Sequence, residues 1–296
     1  MLDPGPSLIE AAPYIERFRG EIVVVKLGGE LLDNNPVLER IAPQLTTLRR
    51  VGLRPVVVHG GGAQIDLACA ERGIAIEKRG GRRVTSPATL EVVLDVVARG
   101  LNRTFCRLLV ERDVPVRGFA EGVSRAVRCH RRPAVDGVDF GEVGDVVEID
   151  REALLGSASA DVGHVVPVMP SVGLRVDGDY AAASADEPTW LNVNADSVAA
   201  HVAVALGAQK LVMLSRVPGV LEHLEDAGPI SKLSARAAGD LLTKREDLGG
   251  MAAKLEEAIV AIRGGVRQVH IISGVEPQTL LREIFTQEGC GTLITA

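Results

Sequence analysis

Lys26 closes a run of four apolar residues, Ile22 to Val25, and is followed by Leu27, Gly28 and Gly29. An ammonium group there is costly unless it meets an anion or the open end of a sheet. A second glycine turn, His59-Gly60-Gly61-Gly62, follows another apolar run that ends at Val58. Glycine turns at strand ends let amide groups converge on phosphate oxygens, because no Cβ stands in the way. Gly28, Gly29, Gly61 and Gly62 are therefore phosphate-binding candidates. A pair of ordinary tight turns is the competing explanation.

Lys254 stands in Gly249-Gly250-Met251-Ala252-Ala253-Lys254, about one turn inside a helix that opens on glycine. A helix N-terminus favours an anion, although a solvated helical lysine explains the position equally well. The segment is not the usual P-loop pattern. In Trp190-Leu191-Asn192-Val193-Asn194-Ala195-Asp196-Ser197 the residues Asn192, Asn194 and Asp196 alternate, which puts them on one face if the stretch is extended. Helix capping accounts for part of this pattern; orientation of two ammonium groups by Asp196 is the functional alternative. Arg82 and Arg83, after Gly80 and Gly81, suit bidentate binding of a carboxylate. The cluster Arg125, Arg128, Arg131 and Arg132 has no interleaved aromatics and reads as a solvated hairpin face, not as a nucleic-acid contact.

The elements that must position these residues follow from periodicity. Helices are predicted over Ser7–Arg19, Pro36–Arg50, from about Ala63, over Pro87–Arg112, Ala195–Leu206 and Met251–Arg263. Short, continuous apolar runs at Ile22–Val25, Arg54–Val58, Leu211–Leu214 and Val269–Ile272 predict strands covered on both faces. The middle, Val116 to Ile149, shifts to short alternating runs, followed by an expected hairpin around Asp177-Gly178-Asp179, so a lid or hairpin layer is expected there. Strand and helix alternation elsewhere predicts an α/β fold with a largely parallel central sheet.

The 296 residues carry 33 Lys plus Arg against 39 Asp plus Glu, a net charge of -6, which argues against general polyanion binding. Neither a stretch long enough to span a bilayer nor a secretory leader is evident, so a soluble cytoplasmic protein is expected. Cys69, Cys106, Cys129 and Cys290 are widely separated and show no metal-ligand spacing; free, structural thiols and no metal centre are expected.

Taken in order, Lys26 to Gly29, His59 to Gly62, Gly81 to Thr85, Asn192 to Asp196 and Gly249 to Lys254, with Val217 to Val220 and Gly291 to Ile294, resemble the acetylglutamate kinases of the amino acid kinase family over almost the whole chain. The resemblance implies a three-layer α/β/α sandwich. It also implies an N-terminal helical extension (1–20), an amino-acid-substrate lobe with its lid hairpin (21–207) and a nucleotide-binding lobe (208–296). The implied reaction takes the γ-phosphoryl group of ATP, accompanied by Mg2+, to the side-chain carboxylate of N-acetyl-L-glutamate. Lys26 and Lys254 would stabilise the transition state, Asp196 would hold them, and the glycine amides would cradle phosphate. Arg83 would bind the α-carboxylate, and Asn192, with Asn194 beside it, the acetylated substrate. Arginine-sensitive members imply an effector site at Tyr14, His270, Glu283 and Gly289, and a homo-oligomer, the hexamer formed by interlacing N-terminal helices. There are two departures: Arg216 stands where members commonly have Asp, and the lid's glycine-rich Lys-Asp segment is absent around Gly118 to Arg125. Two alternatives stay open, a kinase for an acetylated or carrier-linked aminoadipate and a noncatalytic arginine sensor.

Overall fold

The computed structural model describes residues 5–32, 35–79, 82–155, 165–178, 189–221, 228–245 and 247–296. Helix α1 (Leu8–Phe18) starts where the Ser7 hydroxyl accepts a hydrogen bond from the Glu10 amide. Then come β1 (Ile22–Leu27), α2 (Gly29–Leu32), α3 (Asn35–Arg50), β2 (Arg54–His59), α4 (Gly62–Glu71) and the small hairpin β3 (Lys78–Arg79) and β4 (Arg82–Arg83). Helix α5 (Pro87–Val93), capped by Ser86 and begun by Pro87, runs through a π-helical stretch, Leu94–Leu101, into α6 (Asn102–Val110).

The middle of the chain supplies β5 (Val116–Arg117), β6 (Val127–Arg131), β7 (Gly144–Ile149), α7 (Arg151–Leu155), β8 (Val166–Pro170), β9 (Val172–Arg175) and β10 (Trp190–Asn192). The last third contains α8 (Ala195–Leu206), β11 (Lys210–Ser215), β12 (Lys232–Ser234), α9 (Ala235–Lys244), α10 (Gly250–Arg263), β13 (Gln268–Ser273), α11 (Thr279–Phe285) and β14 (Thr292–Thr295).

Eight strands form one sheet in the order β12-β14-β13-β11-β1-β2-β8-β5. Every neighbouring pair is parallel except β13 with β14. All six positions of β1 are buried, because both faces of the sheet are covered. Val23, Val25 and Leu27 join one apolar cluster with α1, α3, α6 and α11. Ile22 and Val24 join another, built with α8, α10 and part of a second sheet. Lys26 belongs to that second set of alternate positions, so its side chain leaves the sheet on the α8 side. The result is the expected three-layer α/β/α arrangement. The boundary expected near Gly207 falls in the turn between α8 and β11, and β11 pairs with β1, so both halves of the chain share one sheet.

The middle region is a four-stranded sheet, β10-β9-β6-β7, packed over α8. Strands β9 and β10 pair antiparallel; the hairpin expected around Asp177-Gly178-Asp179 runs into residues 179–188, which, like Gly80 and Gly81 before Arg82, lie outside the described residues. The predicted helix Pro87–Arg112 needs one correction. Its centre is π-helical, with the Asn102 amide donating to the Val97 carbonyl five residues back. Val97 lies against the second glycine turn, where a Cβ on Gly61 would come within 2.6 Å of Val97 Cγ2. Apolar spacing does not report such a change of hydrogen-bond register.

Phe105 on α6 is fully buried in the cluster with α3. Phe105→Ala is expected to lower unfolding stability by about 3–5 kcal/mol, read from urea denaturation; a loss below about 1 kcal/mol would mean that this layer repacks freely.

Candidate active site

Strands β1, β2 and β11 lie side by side in the middle of the sheet, and their carboxyl ends are where an open α/β sheet offers a crevice. Helix α8 starts directly above them. Its cap is Asn194, whose side-chain oxygen accepts from the amides of Asp196 (2.7 Å) and Ser197 (3.4 Å). The cap leaves Asp196 in the first turn, where the helix dipole favours a negative charge. The Asp196 carboxylate lies 2.7 Å from Lys26 Nζ through one oxygen and 3.6 Å from Lys254 Nζ through the other. Residues 26, 196 and 254 thus meet from β1, α8 and α10.

Burial alone would raise the Asp196 carboxyl, but Lys26 and then Lys254 outweigh it and hold the group below the usual carboxylate range. At Lys254, burial and then the charge of Lys26 push the ammonium down, against the pull of Asp196 and Glu30. A buried cation, Lys26, and a largely buried one, Lys254, share one carboxylate, and a phosphoryl group between them would supply the missing negative charge.

The glycine turns meet beside this trio. A Cβ on Gly29 would lie 2.7 Å from the Gly62 nitrogen and 2.8 Å from that of Gly61, so only glycine permits the approach. Gly29 and Gly62 open α2 and α4, and first-turn amides have no acceptor inside their own helix. Gly28 differs from the expectation, because its amide is donated to the Leu214 carbonyl (3.0 Å) and is committed to the sheet edge. Beneath the second turn His59, fully buried, makes a 3.0 Å hydrogen bond from Nδ1 to the Gly60 carbonyl. Its Nε2 lies 3.0 Å from Asn102 Nδ2, which also donates to the Val168 carbonyl (2.8 Å). Burial lowers His59 to about 4. The ring is therefore neutral near pH 7, with Nδ1 as donor and Nε2 as acceptor. Asn102 Oδ1 accepts from the Phe119 amide (2.8 Å), so the segment beginning at Gly118 is fastened to the same network.

Arg83 reaches the site from β4. One guanidinium nitrogen donates to the Gly62 carbonyl (2.9 Å), and another pairs with Asp66, which also holds Lys78 at 2.8 Å. Asn192 Nδ2 donates to the buried Thr85 hydroxyl (3.0 Å). Asn194 is a correction: its carbonyl oxygen is consumed by the helix cap. Nor do the three residues lie along one extended face, since Asp196 is already helical.

A cavity of ≈ 340 Å³ opens next to Lys254, lined among others by Glu30, Ser215, Arg216, Arg245 and Met251. Sequence reasoning did not single out Glu30 or Arg245, charged residues that become neighbours only through the fold.

At the opposite end of β11 lies a second polar cluster. His270 Nδ1 is 2.6 Å from Glu283, whose other oxygen accepts from the Cys290 amide (2.7 Å) in the turn that contains Gly289. Lys210 Nζ stands 3.2 Å from His270 Nε2 and 4.8 Å from the centroid of the Phe18 ring. Burial lowers Lys210 to about 8. Tyr14 connects to the cluster through Phe18, ring centroid to ring centroid 6.3 Å. Lys210 was missed from sequence; its signal was a cation opening a fully buried strand. The four cysteines are free thiols, and burial pushes Cys106, Cys129 and Cys290 up to about 12, so they are poor nucleophiles.

The model of the amino acid kinase family matches residues 21–273. The chain belongs to the amino acid kinase family. Helix α1 precedes the matched span. Among similar proteins, an acetylglutamate kinase of Bifidobacterium animalis subsp. lactis is 39% identical over 303 residues, covering 99% of this chain and 94% of that one. Another, from Frankia casuarinae, is 41% identical and covers 98% of this chain and 77% of its own. Among solved structures, an N-acetylglutamate synthase from Neisseria gonorrhoeae, complexed with coenzyme A and N-acetyl-glutamate, superposes with a TM-score of 0.83 at 28% identity. It covers 98% of this chain but 64% of its own, so this chain spans just under two thirds of the synthase's length.

In this amino acid kinase the network under the glycine turn makes stability depend on pH. The His59 value falls from 6.5 in the unfolded chain to about 4 in the fold, so between those values the unfolded chain binds more protons. Stability from His59 is complete above about pH 7 and is lost as the pH falls toward 4, by about 3 kcal/mol. Urea unfolding at pH 7 and pH 4.5 is expected to give a shallower loss for His59→Asn than for the natural protein. Equal losses would remove His59 from that role.

Proposed function

We propose that the chain catalyses transfer of the γ-phosphoryl group of ATP to the side-chain carboxylate of N-acetyl-L-glutamate, giving N-acetylglutamyl 5-phosphate and ADP, as a step of arginine biosynthesis. The observation that carries this reading is the buried Asp196 carboxylate between Lys26 and Lys254, beside two facing glycine turns. The relatives support it, being named acetylglutamate kinase at about 40% identity over 97–99% of this chain.

The reaction joins two anions, so position and charge neutralisation must do most of the work. A substrate carboxylate oxygen attacks the γ-phosphorus in line while the bond to the β,γ-bridging oxygen breaks, and ADP leaves. The nucleophile is already ionised and needs no general base. Lys26 and Lys254 flank the migrating phosphoryl group, and Asp196 keeps both ammonium groups aimed at it. Amides of Gly29, Gly61 and Gly62 receive phosphoryl oxygens. Arg83, oriented by Asp66 and the Gly62 carbonyl, takes the α-carboxylate with its remaining donors, and Asn192 contacts the acetylated amino group's neighbourhood. The cavity next to Lys254 receives the nucleotide. Its walls come mostly from residues 215–254, which supports a nucleotide-binding lobe over 208–296 and an amino-acid lobe over 21–207.

Among the described residues no group of three or more His, Cys, Asp or Glu could hold a metal ion, and Asp196 is occupied by two lysines. These residues do not form a resident magnesium site, and no step is assigned to the ion; it would accompany ATP on the phosphates.

We further infer an arginine-responsive site at His270, Glu283 and Gly289, with Tyr14 on α1 and Lys210 added, in a homo-oligomer whose N-terminal helices interlace. Support comes from the same synthase in complex with coenzyme A and L-arginine, TM-score 0.80 at 27% identity, and from the exposed Leu8 and Ile9 on α1. Glu283 offers a carboxylate to a guanidinium group there.

Lys254→Ala is expected to reduce turnover about 10²–10³-fold with a much smaller change in either KM, measured by coupled ADP release with N-acetyl-L-glutamate. Unchanged turnover would remove Lys254 from the chemistry, and a preference for an acetylated aminoadipate in the same assay would reassign the substrate. Arginine is expected to inhibit the natural protein and to act far more weakly on Glu283→Gln. Insensitivity of the natural protein would count against the effector site.

A further inference from the structure

We propose that Arg216 is a polyphosphate-binding residue, which grips the phosphates that stay on the nucleotide after transfer, the α and β groups of a nucleoside triphosphate or diphosphate. The inference rests on the phosphoryl-transfer reading above and adds a residue to its donor site. Arg216 directly follows β11, whose carboxyl end lies beside that of β1, and it lines the cavity that Lys254 also lines.

Its backbone is held at several points. The Ser215 hydroxyl donates to the Val217 carbonyl (3.1 Å), the Gly274 amide donates to the Ser215 carbonyl (2.8 Å), and the Val220 amide donates to the Thr292 hydroxyl (2.8 Å). The side chain projecting from this pinned turn is exposed and makes no hydrogen bond or ion pair with any described residue. The other arginine of the cavity is committed: Arg245 is held by Asp247 (2.7 and 2.9 Å) and by the Leu221 carbonyl (2.7 Å).

The charges of the wall settle what is missing. Arg216, Arg245 and Lys254 face two carboxylates, Glu30 and Asp247. Asp247 neutralises Arg245, and Glu30 acts on Lys254. Among the described residues of the wall, Arg216 is the cation with no carboxylate paired to it. A purine ring or a ribose hydroxyl would not neutralise it, whereas a phosphate matches both the charge and the planar fork of its donors. Lys254, which also touches Asp196, marks the end of the cavity where the γ-phosphoryl group reacts. Arg216 therefore belongs to the phosphates that are bound equally before and after transfer, and its contribution is to nucleotide affinity.

Calorimetric titration of ADP and of adenosine into the natural protein, Arg216→Ala and Arg216→Lys tests this, with circular dichroism to check that each variant is folded. Arg216→Ala is expected to bind ADP about tenfold more weakly and adenosine equally well, with Arg216→Lys between. The KM for ATP rises in Arg216→Ala and that for the carboxylate acceptor does not. ADP affinity that is unchanged, or that falls by the same factor as adenosine affinity, overturns the proposal. A natural protein that binds ADP through Arg216 yet transfers no phosphoryl group would sink the catalytic reading alone; full turnover with Arg216-independent ADP binding would sink this inference alone. A natural protein that binds neither compound overturns both.

Discussion

One carboxylate shared by a buried ammonium group and a largely buried one is the constraint on which this structure depends. Lys26 and Asp196 are each less than 10% exposed, and removing ions from water costs several kcal/mol apiece unless partners are close. Asp196 can meet only part of the demand of two cations. The pocket is thereby biased toward a further anion at that point, which is what a phosphoryl-transfer transition state supplies. Such a trio is a poor device for stability and a good one for chemistry.

The fold supplies what the trio needs. Parallel strands buried on both faces end together, so Lys26 on β1 and the turn after β2 arrive at one edge. Helix α8 brings Asp196 over that edge, and α10 brings Lys254 from a distant part of the chain. Close approach of the two glycine turns requires the absence of Cβ at Gly29, and the packing beneath Gly61 coincides with the π-helical stretch. His59 and Asn102 fix the second turn from below with hydrogen bonds that are all internal. At the other end of β11, His270, Glu283 and Lys210 form a second buried polar cluster that meets α1 at Phe18. The same strand thus runs from the cluster proposed for regulation to the cavity proposed for the nucleotide.

Much of this was legible in the residues. Apolar runs marked β1, β2, β11 and β13 because strands covered on both faces leave an unbroken apolar signature. The helix α8 was read to the residue, since Asn194 caps it and Gly207 ends it in the left-handed region. Lys26, Asp196 and Lys254 could be named, but their meeting could not be derived from spacing alone, because the contacts join positions 26, 196 and 254 across separate elements. The roles of Gly28 and Asn194 came out differently for a related reason. A glycine and an asparagine each have a backbone use as well as a ligand use, and hydrogen-bond partners decide between them. The π-helical register left no mark in the apolar pattern, and Lys210, Glu30 and Arg245 gained meaning only from neighbours that the topology brought to them.

The most direct test of the central claim is a double-mutant cycle in kcat between Asp196→Asn and Lys254→Ala, with thermal unfolding to verify that each protein is folded. If one carboxylate aims both ammonium groups at a single phosphoryl unit, the double variant loses little more than the worse of the single ones, because the residues act together. Losses that simply multiply, or an Asp196→Asn protein with undiminished turnover, would contradict the account.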